Sequence, residues 1–352
     1  MAHKVTVVFA KSSSLVTKET LTVTETGNLT EIILLYPKIQ SGIPVIKDYL
    51  KWTTYSQYIL KCVTIAHEKQ AVDIIHLNVV FPACIPTLKV IKKLKCPLFI
   101  TEHWTGYAPE DGNYRGFIMQ YYTKKIIKKA HTVITVSDYL KNRMESHQLH
   151  GNYITIPNVI DTDLFVPATK PLTDITAFIH ISSLDDEQKN VSGIISAFAS
   201  ALKKNNQLHL TIVGEASIKA KLQALTEKLG IQMYITFAGH LFGIDLVKEI
   251  NKSDALVMFS NYETFCLVIP ESFACGKPVI TSRVGGVSDY MKPELGILID
   301  QKNELQLTES FLTFTQTKQH YNSELIREFA VTHFSKQVIS QKLTVLYQSA
   351  FA

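Results

Sequence analysis

What most constrains this chain is a regular alternation of short apolar, β-rich runs with helical patterns, an alternation that starts over once near the middle. In the first half, strands are predicted at Lys4–Ala10, Glu31–Tyr36, Ile74–Val79, Leu98–Thr101, Thr132–Val136 and Tyr153–Ile156, and helices at Val45–Glu68, Pro86–Leu94, Phe117–Ala130 and Asp138–His147. In the second half, strands at Thr176–Ser182, His209–Val213, Ile235–Phe237, Ala255–Phe259, Val279–Thr281 and Gly296–Ile299 alternate with helices at Val191–Lys204, Ile218–Leu229, Gly243–Asn251, Ile269–Cys275 and Asn322–Thr332. Near-continuously apolar strands separated by helices imply parallel sheets covered on both faces. Between the halves, Pro157 to Pro167 is rich in Pro and Asx, has no period, and reads as a linker. With 352 residues, at roughly 100–200 per domain, the expectation is an α/β chain of two doubly wound domains, 1–165 and 166–335. An amphipathic helix over 336–352 is expected to pack back on the first.

Composition closes off several alternatives. With 46% hydrophobic and 19% charged residues, the chain is neither disordered nor low in complexity. No run of about 18 apolar residues suggests a membrane span, and the start at His3-Lys4-Val5 lacks the apolar core of a signal peptide. A cytoplasmic protein is expected. Cys62, Cys84, Cys96, Cys266 and Cys275 are odd in number and contain no C-x-x-C, which argues against both a disulfide framework and a zinc knuckle. No metal site is expected, His147 and His150 having no third ligand at suitable spacing. Neither half carries G-x-G-x-x-G after a strand, nor a P-loop.

The net charge of +5 is unevenly placed, with 19 Lys and Arg against 13 Asp and Glu in residues 1–165. Most of the excess falls at helical spacing, at Lys89, Lys92, Lys93 and at Lys124, Lys125, Lys128 and Lys129. Two basic amphipathic helices could meet anionic lipid headgroups, at the inner face of the cytoplasmic membrane, or receive a phosphorylated acceptor; two solvated faces is the plainer reading. Nucleic acid is not expected, because no binding motif accompanies the charge.

The stretch from Asp254 to Tyr290 carries most of the chemistry. It reads strand, loop, helix, strand, loop, with Pro270 in a first helical turn and Gly276-Lys277-Pro278 ending the helix. Thr264–Val268 then brings backbone N–H groups beyond the carboxyl end of a strand, where an open α/β sheet takes a phosphate. Glu263 and Glu271 frame this loop. Carboxylates make sense there as acceptors for sugar and ribose hydroxyls.

Glu263-x7-Glu271, followed by Gly276-Lys277-Pro278 and Gly285-Gly286, resembles the signature of the retaining GT-B glycosyltransferases of family 4. Ile156-Pro157-Asn158 with Asp161, Lys189-Asn190, Ile212-Val213-Gly214-Glu215, Phe237-Ala238-Gly239 and Thr101-Glu102-His103 fall in the family's order. The resemblance implies two Rossmann-like domains facing a central cleft. It also implies transfer of a sugar from a nucleotide-diphospho-sugar, UDP- or GDP-linked foremost, with retention of configuration and without cofactor or metal. A saccharide or polyprenyl-linked acceptor in bacterial cell-surface polysaccharide biosynthesis would follow. Lys189 would then meet the diphosphate, Glu263 the donor sugar and Glu271 the ribose. Thr264, Phe265, Cys266, Leu267 and Val268 would cradle phosphates and sugar, Gly239 and His240 would lie near the base, and His103 would reach the transferred sugar.

Two departures stand out. The family's Gly-Arg-Leu ahead of the lysine is Ser182-Ser183-Leu184 here, so that Ser183 takes the arginine's place in the donor site and three acids follow; Arg283 is a candidate substitute. The opening strand also looks like the family's second, which implies that a first strand-loop-helix unit, on the order of 30–40 residues, is absent. A catalytically impaired nucleotide-sugar-binding protein is therefore the alternative, with a GT-B sugar-nucleotide epimerase behind it.

Overall fold

The computed structural model describes residues 3–39, 44–170 and 173–351. By their contacts, two compact units form: Met1–Glu102 with Tyr114–Ile134 and Glu145–Ile154, and His103–Asn113 with Thr135–Met144 and Thr155–Ala352.

The first unit is built on β1 (Val5–Ser13), β2 (Thr20–Thr26), β3 (Leu29–Pro37), α1 (Pro44–Lys69), β4 (Ile75–Asn78), α2 (Cys84–Leu94), β5 (Leu98–Glu102) and α3 (Phe117–Ile127), and β6 (Thr132–Thr135), α4 (Asp138–Ser146) and β7 (Tyr153–Thr155) follow. Strands form a three-stranded sheet in the order β1-β3-β2 and a four-stranded sheet in the order β4-β5-β6-β7. Alternation along β3 sends Ile32, Leu34 and Tyr36 to one face, where α1 covers them with Cys62 and Ala66, one helical turn apart, while Tyr58 stacks on Tyr36 at 4.7 Å. The other face of β1 is not covered as expected: Val5, Val7 and Phe9 remain 44–49% exposed. Nor is this sheet wholly parallel. The unpredicted β2 runs antiparallel to β3, entered through Gly27 at φ +59°. Every residue of β2 is exposed, so it lacks the apolar pattern by which a buried strand is read.

The second unit holds β8 (Thr176–Ile181), α5 (Asp186–Lys189), α6 (Val191–Leu202), β9 (Leu208–Val213), α7 (Lys219–Lys228), β10 (Ile235–Gly239), α8 (Gly243–Lys252), β11 (Ala255–Met258), α9 (Val268–Ala274), β12 (Val279–Ser282), β13 (Gly296–Ile299), α10 (Glu304–Thr317), α11 (Ser323–Phe334) and α12 (Lys336–Gln348). Its six strands are parallel, in the order β10-β9-β8-β11-β12-β13. Chain order reverses between β8 and β11, which places a ligand crevice outside their carboxyl ends. The core packs Phe311 of α10 edge-on to Phe178 and Phe198, at 4.8 and 5.5 Å. Each such buried ring contributes about 1.5–3 kcal/mol. Sequence periodicity missed α10 because Thr and Gln crowd its apolar positions. The linker is held by Arg327 of α11, which donates to the carbonyls of Thr162 at 3.0 Å and Phe165 at 2.8 Å. Among the described residues no helix is long and apolar enough to cross a membrane.

Candidate functional site

The carboxyl ends of β8 and β11 bring Lys189 and Glu263 together. Asp185 caps α5 by accepting from the Glu187 N–H at 3.2 Å, and Asp186 accepts from the Ser192 N–H and hydroxyl at 2.8 and 2.6 Å. Of the three acids before the lysine, Asp186 thus ties α5 to α6 and Asp185 caps α5, the helix that ends on Lys189. Its Nζ lies 2.6 Å from Oε1 of Glu263, the two side chains 15% and 6% exposed. The Ser260 hydroxyl donates to the same oxygen at 2.8 Å. Burial works against the ammonium, but Glu263, with Cys266 and Asp185 adding to it, holds Lys189 above its ordinary pKa.

The loop after Glu263 is tightly constrained. Cys266 adopts φ +65°, and burial pushes its thiol well up, the Glu263 charge adding to the effect. The Tyr290 hydroxyl donates to the Phe265 carbonyl at 2.8 Å, whereas Leu267 is 46% exposed and Val268 opens α9. Gly285, at φ +49°, packs so closely that a Cβ there would overlap the Glu263 carbonyl, and a Cβ on Gly286 would overlap the Thr264 carbonyl and Ser137. The paired glycines are thus required by the approach of one backbone to another. Glu271, in the first turn of α9, is raised to about 7 by burial.

His103 joins this loop through its main chain: the Thr264 hydroxyl donates to the His103 carbonyl at 3.0 Å. Burial lowers the imidazole pKa, with a hydrogen bond to the Asn158 side chain opposing it, which keeps the ring neutral at pH 7. Nearby in the same unit, the Asp289 carboxylate accepts from the N–H of Asp138 at 2.9 Å and of Tyr139 at 3.4 Å, at the start of α4. Trp104 packs edge-on to Tyr107, 5.4 Å between centroids.

Along the same edge of the sheet, Gly239 ends β10 at φ +72° and accepts at its carbonyl from the Gly214 N–H at 2.8 Å. His240 follows, exposed, its ring 6.0 Å from Phe242. Ser183 is exposed, as is Arg283 at the end of β12. His180 is structural: it is wholly buried, its ring bonded to the Val257 carbonyl at 2.9 Å and the Ser182 hydroxyl at 2.8 Å. Burial takes its pKa down to about 4. Sequence reasoning assigned no role to Ser260, Asn158 or Asp289. Ser260 sits three residues before Glu263, a spacing that carries no recognisable signal, and the other two contacts span 55 and 151 positions in sequence.

The arrangement offers an inward-facing ammonium, a carboxylate held by two donors, a second, half-buried carboxyl and a neutral imidazole, all in one unit. Comparisons with known proteins agree in kind. A family model described as "Glycosyl transferases group 1" matches residues 168–326, and one described as "Glycosyltransferase Family 4" matches residues 2–164. An uncharacterised glycosyltransferase of Methanocaldococcus jannaschii is 25% identical over 70% of the chain and 66% of its own length. A second from that organism is 34% identical over 33% of the chain and 30% of its own length. The chain thus spans less than two thirds of these two relatives. N-acetyl-alpha-D-glucosaminyl L-malate synthase of Bacillus anthracis is 24% identical, over 89% of the chain and 85% of its own length. Among solved structures, sucrose-phosphate synthase of Thermosynechococcus elongatus superposes with a TM-score of 0.76 at 22% identity, covering 94% of this chain and 85% of that one. HepE of Anabaena, solved with UDP-glucose, gives 0.69 at 18% identity, covering 98% and 99%.

Proposed function

Because the chain belongs to the family 4, group 1 glycosyltransferases of GT-B fold, we propose that it transfers a glycosyl group from a nucleotide-diphospho-sugar to a saccharide or lipid-linked acceptor with retention of configuration. The observation that carries this reading is the buried Lys189–Glu263 pair at the switch point of the second sheet. Lys189 uses one N–H on Glu263 and has others to offer the diphosphate, whose negative charge grows as it leaves. No divalent metal is then required for that charge. Glu263 accepts from both Lys189 and Ser260, which suits it to receive a sugar hydroxyl and to favour positive charge developing on the ring, not to attack as a nucleophile. In the transfer the bond from the anomeric carbon to the diphosphate breaks and that to the acceptor oxygen forms on the same face. The acceptor's proton passes to the departing diphosphate.

Glu271 would take the ribose hydroxyls, Gly239 and His240 would border the base, and neutral His103 would hydrogen-bond the transferred sugar. UDP is the first base to try, HepE having been solved with UDP-glucose. On α3, Phe117, Ile118 and Tyr121 are 82%, 42% and 46% exposed ahead of the exposed Lys124, Lys125, Lys128 and Lys129. That supports peripheral contact with an anionic membrane, a lipid-linked acceptor, and a cytoplasmic role in cell-surface polysaccharide synthesis.

The test is a mass-spectrometric screen of UDP-, GDP- and ADP-sugars against saccharide and polyprenyl-linked acceptors, with the anomer of the product assigned by NMR. Consumption of one donor with a retained anomer is expected. Ser183, which supplies no cation, gives the rival reading its ground: if no donor is consumed while UDP or GDP raises the melting temperature, the chain is a nucleotide-sugar-binding protein.

A further inference from the structure

We propose that Thr264 is a positioning residue for His103, acting through its hydroxyl and not through the backbone N–H that a donor-cradling loop would use. The proposal rests on the transferase reading above and deepens it. Thr264 is buried, 9% exposed, and its Oγ1 donates to the His103 carbonyl 3.0 Å away. Gly286 packs on the Thr264 carbonyl and Gly285 on that of Glu263, so the donor of that bond moves only with its loop. The acceptor is held at its other end, where the imidazole bonds to the Asn158 side chain. His103 is therefore restrained by its main chain and its ring at once, and the main-chain restraint comes from the loop between the two glutamates of the donor site. Any residue at 264 would supply the same backbone N–H. Only a hydroxyl ties that loop to His103. A shift of the loop on donor binding is then relayed to the imidazole, and a misplaced imidazole slows the chemical step without weakening the donor's own contacts.

The test uses the full chain and four substitutions. Thr264→Val, which keeps the shape and removes the donor, lowers kcat about 10- to 100-fold with the donor KM changed less than about twofold, and Thr264→Ser restores kcat. Thr264→Ala serves if the valine variant does not fold. In a His103→Ala background Thr264→Val changes kcat less than about twofold, since there is no imidazole left to position. An arm independent of turnover follows the His103 imidazole by NMR, its signal assigned by its loss in His103→Ala. UDP shifts it in the wild type and leaves it unmoved in Thr264→Val. The proposal is overturned if Thr264→Val transfers at the wild-type rate, if its effect is undiminished in the His103→Ala background, or if the UDP-induced shift survives it. A wild type that consumes no donor defeats the transferase reading instead, and the NMR arm then decides this one.

Discussion

The Lys189 ammonium lies 2.6 Å from Oε1 of Glu263, in a setting that leaves the side chains 15% and 6% exposed. The attraction of such a pair is largely offset by the loss of water around both charges, but either charge left alone is strongly destabilising. Lys189→Met or Glu263→Leu should each lower the unfolding free energy by about 3–5 kcal/mol, and the double variant by much less than the sum. All three should lose transfer by at least about 100-fold. Urea unfolding of the four proteins measures the coupling, and strict additivity would show that the two charges do not depend on one another.

Glu271 makes a pH prediction with a definite sign. Burial raises it from 4.5 to about 7 in the folded chain, so between those values the native state holds a proton that the unfolded state has released. Its contribution to stability is therefore complete below about 4.5 and is lost as pH rises through about 7. Ribose hydroxyls donate to the ionised carboxylate, so UDP affinity should rise from pH 6 to pH 8. Glu271→Gln should melt higher than wild type at pH 8, bind UDP about 10-fold more weakly there, and show little pH dependence in either property. Calorimetry and melting curves across that range check it; a variant that still tightens on UDP with rising pH sinks the assignment.

These three residues also mark how far the sequence could be read. Glu263 and Glu271 were legible because they frame a strand-loop-helix pattern, and Lys189 through the resemblance to the family. Strands β8 to β13 were legible because each is nearly all apolar. What was not legible includes two contacts distant in sequence, Asn158 on His103 and Asp289 at the start of α4, and one nearby contact, Ser260 on the Glu263 oxygen, whose three-residue spacing carries no signal. The exposed β2 and the Thr- and Gln-rich α10 escaped for the opposite reason, that their local patterns do not advertise where they are buried or paired.

The glycine pair after β12 gives a prediction about shape alone. A methyl group on Gly285 would collide with the Glu263 carbonyl, and one on Gly286 with that of Thr264. Neither clash can be relieved by turning a flexible side chain, since the opposing atoms are backbone. Gly285→Ala and Gly286→Ala should each cost about 1–3 kcal/mol, and both should abolish the UDP-induced rise in melting temperature because the loop that moves is the one that meets the donor. Arg283→Ala, two residues away with an exposed side chain, is the control for stability and should unfold as wild type.

The surface of α3 predicts how the chain meets lipid. Ile126 and Ile127 are fully buried, so this aliphatic side is core, and the exposed apolar groups are Phe117, Ile118 and Tyr121 on the first turns. A ring inserted at the headgroup level and a row of ammonium groups over it would act together. Vesicles containing phosphatidylglycerol should therefore bind the chain, and pure phosphatidylcholine should not. Replacing Lys124, Lys125, Lys128 and Lys129 by Gln should weaken binding about 100- to 1000-fold at low salt, at about 1 kcal/mol for each charge near the surface, and should remove most of its salt dependence. Phe117→Ser should weaken binding while leaving the salt dependence intact, because it removes apolar insertion and no charge. Sedimentation with vesicles separates these terms, and binding indifferent to salt and to the lysines would remove the membrane from the acceptor's side of the reaction.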